Sequence, residues 1–128
     1  MSLEGFLFLI AALLCFGGGL AHSVLGERYI VSRLSRCSDL PILFGSTNAT
    51  VRIIRIVWHL AAIAWLAIAA LLFLMAQGPL ATTTVSGVLA MMFLVSAIGA
   101  VAVSRGRYLG WPAFVAISAI TFWGAYAL

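Results

Sequence analysis

The sequence contains few charged residues, and especially few acidic ones. It contains no lysine, and its 128 residues include seven arginines and three acidic residues, which gives a formal net charge of +4. Only 8% of the residues are charged and 65% are hydrophobic, whereas a soluble domain carries roughly 25% charged residues. A chain with so few charges cannot cover a surface that faces water. These proportions exclude an ordinary water-soluble domain and predict an integral membrane protein.

Cysteine is also scarce. Cys15 lies in the first apolar run and Cys37 lies in an arginine-rich connection. Two cysteines in such different surroundings do not predict a disulfide, and no Cys-x-x-Cys pair of the kind found in metal sites is present. We interpret both as structural. The positive charge does not predict nucleic-acid binding, because the arginines lie beside apolar runs rather than on a basic domain.

Long apolar runs are what the sequence has in abundance. Four of them are predicted as transmembrane helices, at about residues 3–25, 51–76, 82–103 and 111–127, because a helix of about 20 residues crosses a hydrocarbon core of roughly 30 Å. The runs lack the alternation of barrel strands. The predicted fold is therefore all-α: a polytopic membrane protein with one domain over residues 1–128, an antiparallel bundle of four transmembrane helices. Residues 26–50 form a long connection whose first part is predicted to continue the first helix.

The arginines indicate an orientation, since they fall only in or beside the first and third connections. They are Arg28, Arg33, Arg36, Arg52, Arg55, Arg105 and Arg107. The positive-inside rule places these connections in the cytoplasm and both termini on the other side. Arg28, Arg105 and Arg107 are also candidates for contact with anions or lipid headgroups, so membrane lipids are expected partners.

Small residues recur at four-residue spacing in several of the runs. The sets are Gly18, His22 and Gly26, then Thr82, Ser86 and Ala90, and then Ser96, Ala100 and Ser104. Such spacing allows helices to approach closely in a membrane. Some of these faces could instead meet a second copy, so we also expect a homo-oligomer.

Polar side chains cluster where the first helix ends and the second begins. The candidate site consists of His22, Ser23, Glu27, Arg52, Arg55 and His59. With a rise of 1.5 Å per residue, both histidines lie roughly 8–12 Å inside their helix ends, and hence at similar depth if the two helices pair. Ionisable side chains inside a membrane are costly and by default indicate function.

Several chemistries fit this cluster. Histidine titrates near neutral pH and Glu27 could accept a proton or a cation, which favours ion or small-solute transport. Alternatively, His22 and His59 could ligate haem iron, or hold a divalent metal together with Glu27, although no HxxxH or ExxH pair is present. Arg28, Arg52 and Arg55 could bind a phosphate or carboxylate.

A purely structural or lipid-contact role is a further alternative for the polar cluster. No arrangement of nucleophile and base is evident in the sequence, so an enzyme is not favoured. The leading hypothesis is a small inner-membrane protein that transports or binds an ion or small solute, with the cofactor left open.

Two segments carry a resemblance. HSVLGER (residues 22–28) and RIIRIVWHL (residues 52–60) resemble small, uncharacterised four-helix integral membrane proteins of bacteria that have HSxxGER and RxxRxxWH segments. The resemblance covers the first half of the chain. It implies a location in the bacterial inner (plasma) membrane, and it brings no activity or cofactor with it.

Overall fold

The chain folds into helices joined by short connections. A computed structural model describes residues 2–127, with the elements α1 (Leu3–Leu25), a π-helical segment (Gly26–Val31), α2 (Ser32–Leu34), α3 (Thr47–Met75), α4 (Thr82–Ser104) and α5 (Trp111–Tyr126). The predicted all-α class is confirmed. The helical stretches Leu3–Leu34, Thr47–Met75 and Thr82–Ser104 are long and apolar enough to cross a membrane. The molecule is consistent with a helical membrane bundle.

The fourth helix is shorter than the other three. α5 has 16 residues and therefore extends over about 24 Å at 1.5 Å per residue, less than the roughly 30 Å of a hydrocarbon core. Pro112 lies in its first turn, where the missing N–H of proline leaves no hydrogen bond unmade.

Serine side chains define where two of the helices begin. Ser2 accepts a hydrogen bond from the backbone N–H of Gly5 (3.1 Å), and Ser46 accepts one from Ala49 (3.1 Å). Each thereby satisfies an N–H of the first turn that has no partner inside the helix. Because Ser46 caps α3, this helix begins at Thr47, four residues before the predicted position 51.

The first part of residues 26–50 continues the first helix, as predicted, so the non-helical connection is shorter than that range. Helical structure continues from α1 through the π-helical segment to Leu34, and α3 begins at Thr47, so only residues 35–46 lie outside helices. A tight turn at Phe44 and Gly45 leads into α3, with φ of 51° and 83°. The buried side chain of Thr50 holds this turn, since it accepts from the Leu43 N–H (3.1 Å) and donates to the Pro41 carbonyl.

Small side chains make up the interior of the bundle. α1 packs on α3, α3 on α4, and α4 on α5. The buried residues of α4 are Ala90, Ser96, Ala97, Ala100 and Ser104, four of which belong to the small-residue sets identified in the sequence. Many large apolar side chains face outward instead, for example Ile120, which is 73% exposed. That distribution suits a surrounding of lipid.

Hydrogen bonds join α4 to α5 directly. The Ser118 hydroxyl donates to the Ala90 carbonyl (2.7 Å), and the Tyr126 hydroxyl donates to the Thr83 carbonyl (3.0 Å). A hydroxyl that would otherwise lie unpaired in hydrocarbon thus finds a partner on the neighbouring helix.

The glycines of α1 make room for two tryptophans of α3. A Cβ at Gly26 would overlap the indole of Trp58, and a Cβ at Gly18 or Gly19 would press on Trp65. The sequence predicted that these glycines bring two backbones together. The structure shows that indole rings fill most of the space that the glycines leave.

The two ends of the bundle differ in charge. One end carries the π-helical segment, α2, the first connection, the start of α3 and the α4–α5 turn, and these segments hold all seven arginines. At the other end, a cavity of about 590 Å³ lies between the start of α1, including Glu4, and the α3–α4 turn.

Both cysteines are free, and the Cys15 thiol donates to the Trp65 carbonyl (3.2 Å).

Candidate functional site

The candidate site begins where α1 widens into the π-helical segment. The N–H of Gly26 is shared between the carbonyls of His22 and Ser23, and the N–H of Ser32 donates to the carbonyl of Glu27, five residues earlier. The indole N–H of Trp58 donates to the same His22 carbonyl (2.9 Å). π-Helical turns of this kind are rare and often lie at functional sites.

Four side chains of α1, α3 and the π-helical segment form one hydrogen-bonded chain. Ser23 Oγ lies 2.8 Å from His59 Nδ1, and His59 Nε2 lies 3.2 Å from Glu27 Oε2. The Arg55 guanidinium donates through Nε to both carboxylate oxygens of Glu27 (3.0 and 3.1 Å), and its Nη2 lies 2.8 Å from Oε1. We call this chain the Ser23–His59–Glu27–Arg55 network.

The network is balanced in charge and partly accessible. Glu27 and Arg55 form an ion pair with several hydrogen bonds, a geometry stronger than a single contact. About a third of each side chain is exposed, with values of 34% for both and 35% for His59. The Glu27 carboxylate and the Arg55 guanidinium balance each other, so the charge of the whole group depends on whether the His59 imidazole carries one proton or two.

His22 lies outside this network. Its ring stacks on that of Trp58 with a centroid distance of 4.7 Å and an interplanar angle of 3°, and on that of Trp65 with 6.5 Å and 6°. The two tryptophans are seven residues apart, about 10.5 Å along α3, so the imidazole lies between their rings. The predicted site grouped His22 with His59, but the structure places the two imidazoles among different neighbours.

The metal and haem alternatives gain no support from this geometry. Among residues 2–127, no group of three or more His, Cys, Asp or Glu side chains could hold a metal ion. Glu27 and His59 are in contact, but both nitrogens of His59 are already engaged by Ser23 and Glu27, and His22 is held between indoles. The predicted set of His22, His59 and Glu27 is therefore not assembled as three ligands around one point.

The remaining arginines of the predicted site lie elsewhere. Arg52 lines a different cavity together with Arg107. The Arg28 guanidinium lies over the neighbouring Tyr29 ring, 5.7 Å from its centroid. Arg105 ends α4 in a left-handed conformation, with φ 53°. Of the six residues predicted to form the ligand site, the structure brings together Ser23, Glu27, Arg55 and His59.

The order serine, histidine, carboxylate also occurs in hydrolytic triads, and the sequence alone did not reveal it, because Ser23 and His59 are 36 residues apart. Ser23, however, lies inside α1, where backbone N–H groups are committed to carbonyls one turn earlier. A nucleophile there has no adjacent free N–H groups to stabilise an oxyanion. The arrangement therefore suits movement of a proton better than acyl transfer.

The tryptophan contacts were also missed from the sequence. Trp58 and Trp65 are seven residues apart, and the glycines of α1 recur at a similar interval. This matching interval could have indicated that the indoles of α3 pack on the glycines of α1.

Comparisons with protein-family models, curated proteins and solved structures found no match to this chain.

Proposed function

We propose that this chain is a small membrane transport protein in which the Ser23–His59–Glu27–Arg55 network binds and releases a proton as an ion or small solute passes. The observation that supports this most directly is the unbroken hydrogen-bonded chain from Ser23 to Arg55. It joins two apolar helices and contains an imidazole, the side chain best suited to exchange a proton near neutral pH. Chains of acidic and histidine side chains serve as proton relays in membrane transporters.

Protonation would reorganise the network at Ser23. With one proton on Nε2, His59 donates to Glu27, and Nδ1 accepts from the Ser23 hydroxyl. A second proton on Nδ1 makes that nitrogen a donor, so the Ser23 hydroxyl must turn its own proton elsewhere. A serine inside a helix can donate to the carbonyl four residues earlier, which is that of Gly19. Glu27 and Arg55 are the charged groups that face the imidazole.

The proposed orientation follows from the arginines. Because all seven lie at one end of the bundle, we place that end in the cytoplasm of a bacterial inner membrane and both termini outside. The network then lies at the level of the inner leaflet. Lipids are the expected neighbours of the exposed apolar side chains, and a second copy of the chain could cover part of that surface.

Proton flux tests the proposal. The full chain is reconstituted into liposomes that contain a pH-sensitive dye, and a pH step is applied in sodium, potassium and chloride salts. His59→Gln keeps hydrogen-bonding capacity but cannot bind a proton in this range. The matched control is His22→Phe, which retains a flat ring between the two indoles and removes the other imidazole.

We expect flux from the wild type and from His22→Phe, and a loss of about a hundredfold or more in His59→Gln, since a positioned proton-transfer group typically contributes roughly 10²–10⁴-fold. Circular dichroism checks that all three are equally helical. Absence of flux in all proteins would overturn the transport proposal, and equal loss in the two variants would contradict a specific role of the network in proton transfer.

A further inference from the structure

A second polar site lies at the arginine-rich end of the bundle, between the start of α3 and the α4–α5 connection. A cavity of about 200 Å³ opens between the turn before α3, the first helical turns of α3 and the α4–α5 connection. The polar residues that line it are Ser46, Asn48, Arg52, Ser104, Arg107 and Tyr108. The sequence marked Arg52 and Arg107 as candidates for anion contact, and the structure brings them to one cavity although most of α3 and all of α4 lie between them in the chain.

The cavity has two positive charges and no negative one among its lining residues. The three acidic residues of the chain are accounted for elsewhere. Glu27 pairs with Arg55, Glu4 lines the cavity at the opposite end, and Asp39 accepts from the Ser38 hydroxyl (3.2 Å) in the first connection. Two arginines that line one space without a carboxylate favour an anion. A phosphate monoester, with a charge of about −1.5 to −2 at pH 7, balances them.

The start of α3 adds to this preference. Asn48 and Ala49 belong to its first turn and line the cavity, so the positive end of the helix dipole lies beside the same space, although the Ala49 N–H itself is bonded to Ser46. Anions bind commonly at such helix ends. The hydroxyl of Tyr108 and the amide of Asn48 are further donors. The arginines supply the planar fork that matches the oxygens of a phosphate.

An exposed apolar side chain forms the rim of the cavity. Phe44 lines it and is 67% exposed, because the turn anchored by Thr50 holds Phe44 at its tip. The neighbouring Ile42 is 69% exposed. Apolar side chains beside a phosphate-sized polar space match the boundary between a lipid headgroup and its acyl chains. A volume of about 200 Å³ is below the roughly 300–1,000 Å³ of pockets for drug-sized ligands, as suits a single headgroup.

We propose that this cavity binds a phosphate group through Arg52 and Arg107, either as the headgroup of an anionic lipid or as free phosphate. The site is separate from the Ser23–His59–Glu27–Arg55 network, so it stands whether or not that network carries protons.

Binding of matched probes tests the site. The detergent-solubilised full chain is titrated with dioctanoyl phosphatidic acid, with dioctanoylglycerol, which has the same acyl chains and no phosphate, and with inorganic phosphate, and bound ligand is counted by native mass spectrometry. Arg52→Gln and Arg107→Gln each remove one charge from the cavity. Arg105→Gln is the control, since it removes the same charge from the same turn without lining the cavity.

We expect phosphatidic acid to bind and dioctanoylglycerol not to bind, with affinity reduced about tenfold or more in Arg52→Gln and Arg107→Gln and less than about threefold in Arg105→Gln, since a charge-assisted contact is lost only in the first two. Arg52→Lys keeps the charge but not the fork, and we expect it to fall between.

The two sources of phosphate are separated by the third probe. Inorganic phosphate that binds with the same dependence on Arg52 and Arg107 assigns the site to free phosphate. Phosphatidic acid that binds without competition from inorganic phosphate assigns it to lipid. The proposal is overturned if neither probe binds, or if Arg105→Gln weakens binding as much as the cavity variants, because the attraction is then diffuse.

Discussion

Replacing Gly26 by alanine tests how α1 and α3 fit together. A Cβ at this position would overlap the indole of Trp58. That ring cannot move freely, because its N–H is bonded to the His22 carbonyl and its face is stacked on the His22 imidazole. The added methyl group must therefore displace a ring that two other contacts hold in place.

The expected loss can be built from those contacts. Breaking the hydrogen bond costs about 1 kcal/mol, loosening the ring stack about 1 kcal/mol, and the remaining overpacking roughly 1–3 kcal/mol. Alanine offsets about 1 kcal/mol through its higher helix propensity. We expect Gly26→Ala to lower the free energy of unfolding by about 3 kcal/mol.

The assay is reversible unfolding in mixed micelles, followed by circular dichroism. Gly17→Ala is the matched control, because it makes the same change in the same helix at a position where a Cβ meets nothing within 4 Å. We expect it to be neutral or to stabilise by up to about 1 kcal/mol.

A double variant tests the cause. Trp58→Leu removes the ring that the new methyl group strikes, so adding Gly26→Ala to it should cost about 2 kcal/mol less than adding it to the wild type. The reasoning fails if Gly26→Ala is as mild as Gly17→Ala, or if its cost is unchanged in the absence of the indole.

Two further predictions concern the connections and the second helix pair. Thr50→Val should lower the free energy of unfolding by about 1–2 kcal/mol and speed protease cleavage of the turn before α3, because it removes both hydrogen bonds that hold the turn. Thr50→Ser keeps the hydroxyl and is the control. Equal cleavage rates of the valine and serine variants would contradict an anchoring role of Thr50. Ser118→Ala should lower stability by about 0.6 kcal/mol, the mean for hydrogen bonds between membrane helices, since it loses the bond to Ala90. Ser96→Ala is the control in the same unfolding assay, because that hydroxyl donates within its own helix, and an equal effect would show that pairing of α4 with α5 does not depend on the Ser118 bond.

The helices could be predicted because hydropathy and caps are local properties. Mean composition over some twenty residues is enough to indicate a membrane helix, and α1 indeed extends over Leu3–Leu25. The start of α3 was placed late because the predicted range followed apolar residues, whereas the capping bond of Ser46 fixes the actual first turn.

The candidate site could be predicted only in part. Residue spacing gives the face on which a side chain lies, and that brought Arg55 and His59 to one face of α3. It does not tell which neighbour each part of that face meets. Arg52, three residues before Arg55, faces the α4–α5 connection instead, and His22 finds the indoles rather than His59. Both outcomes depend on contacts between residues far apart in sequence. They also depend on a π-helical segment that no residue pattern predicts.

The uneven charge of the two ends bears on how permanently the chain keeps its orientation. To turn over in a bilayer, the molecule would have to carry seven arginine side chains through the hydrocarbon, each at roughly 2.5 kcal/mol or more on insertion scales. Even if the pair of Arg55 with Glu27 travelled as a neutral unit, the barrier would exceed about 15 kcal/mol. A chain inserted one way would therefore stay that way.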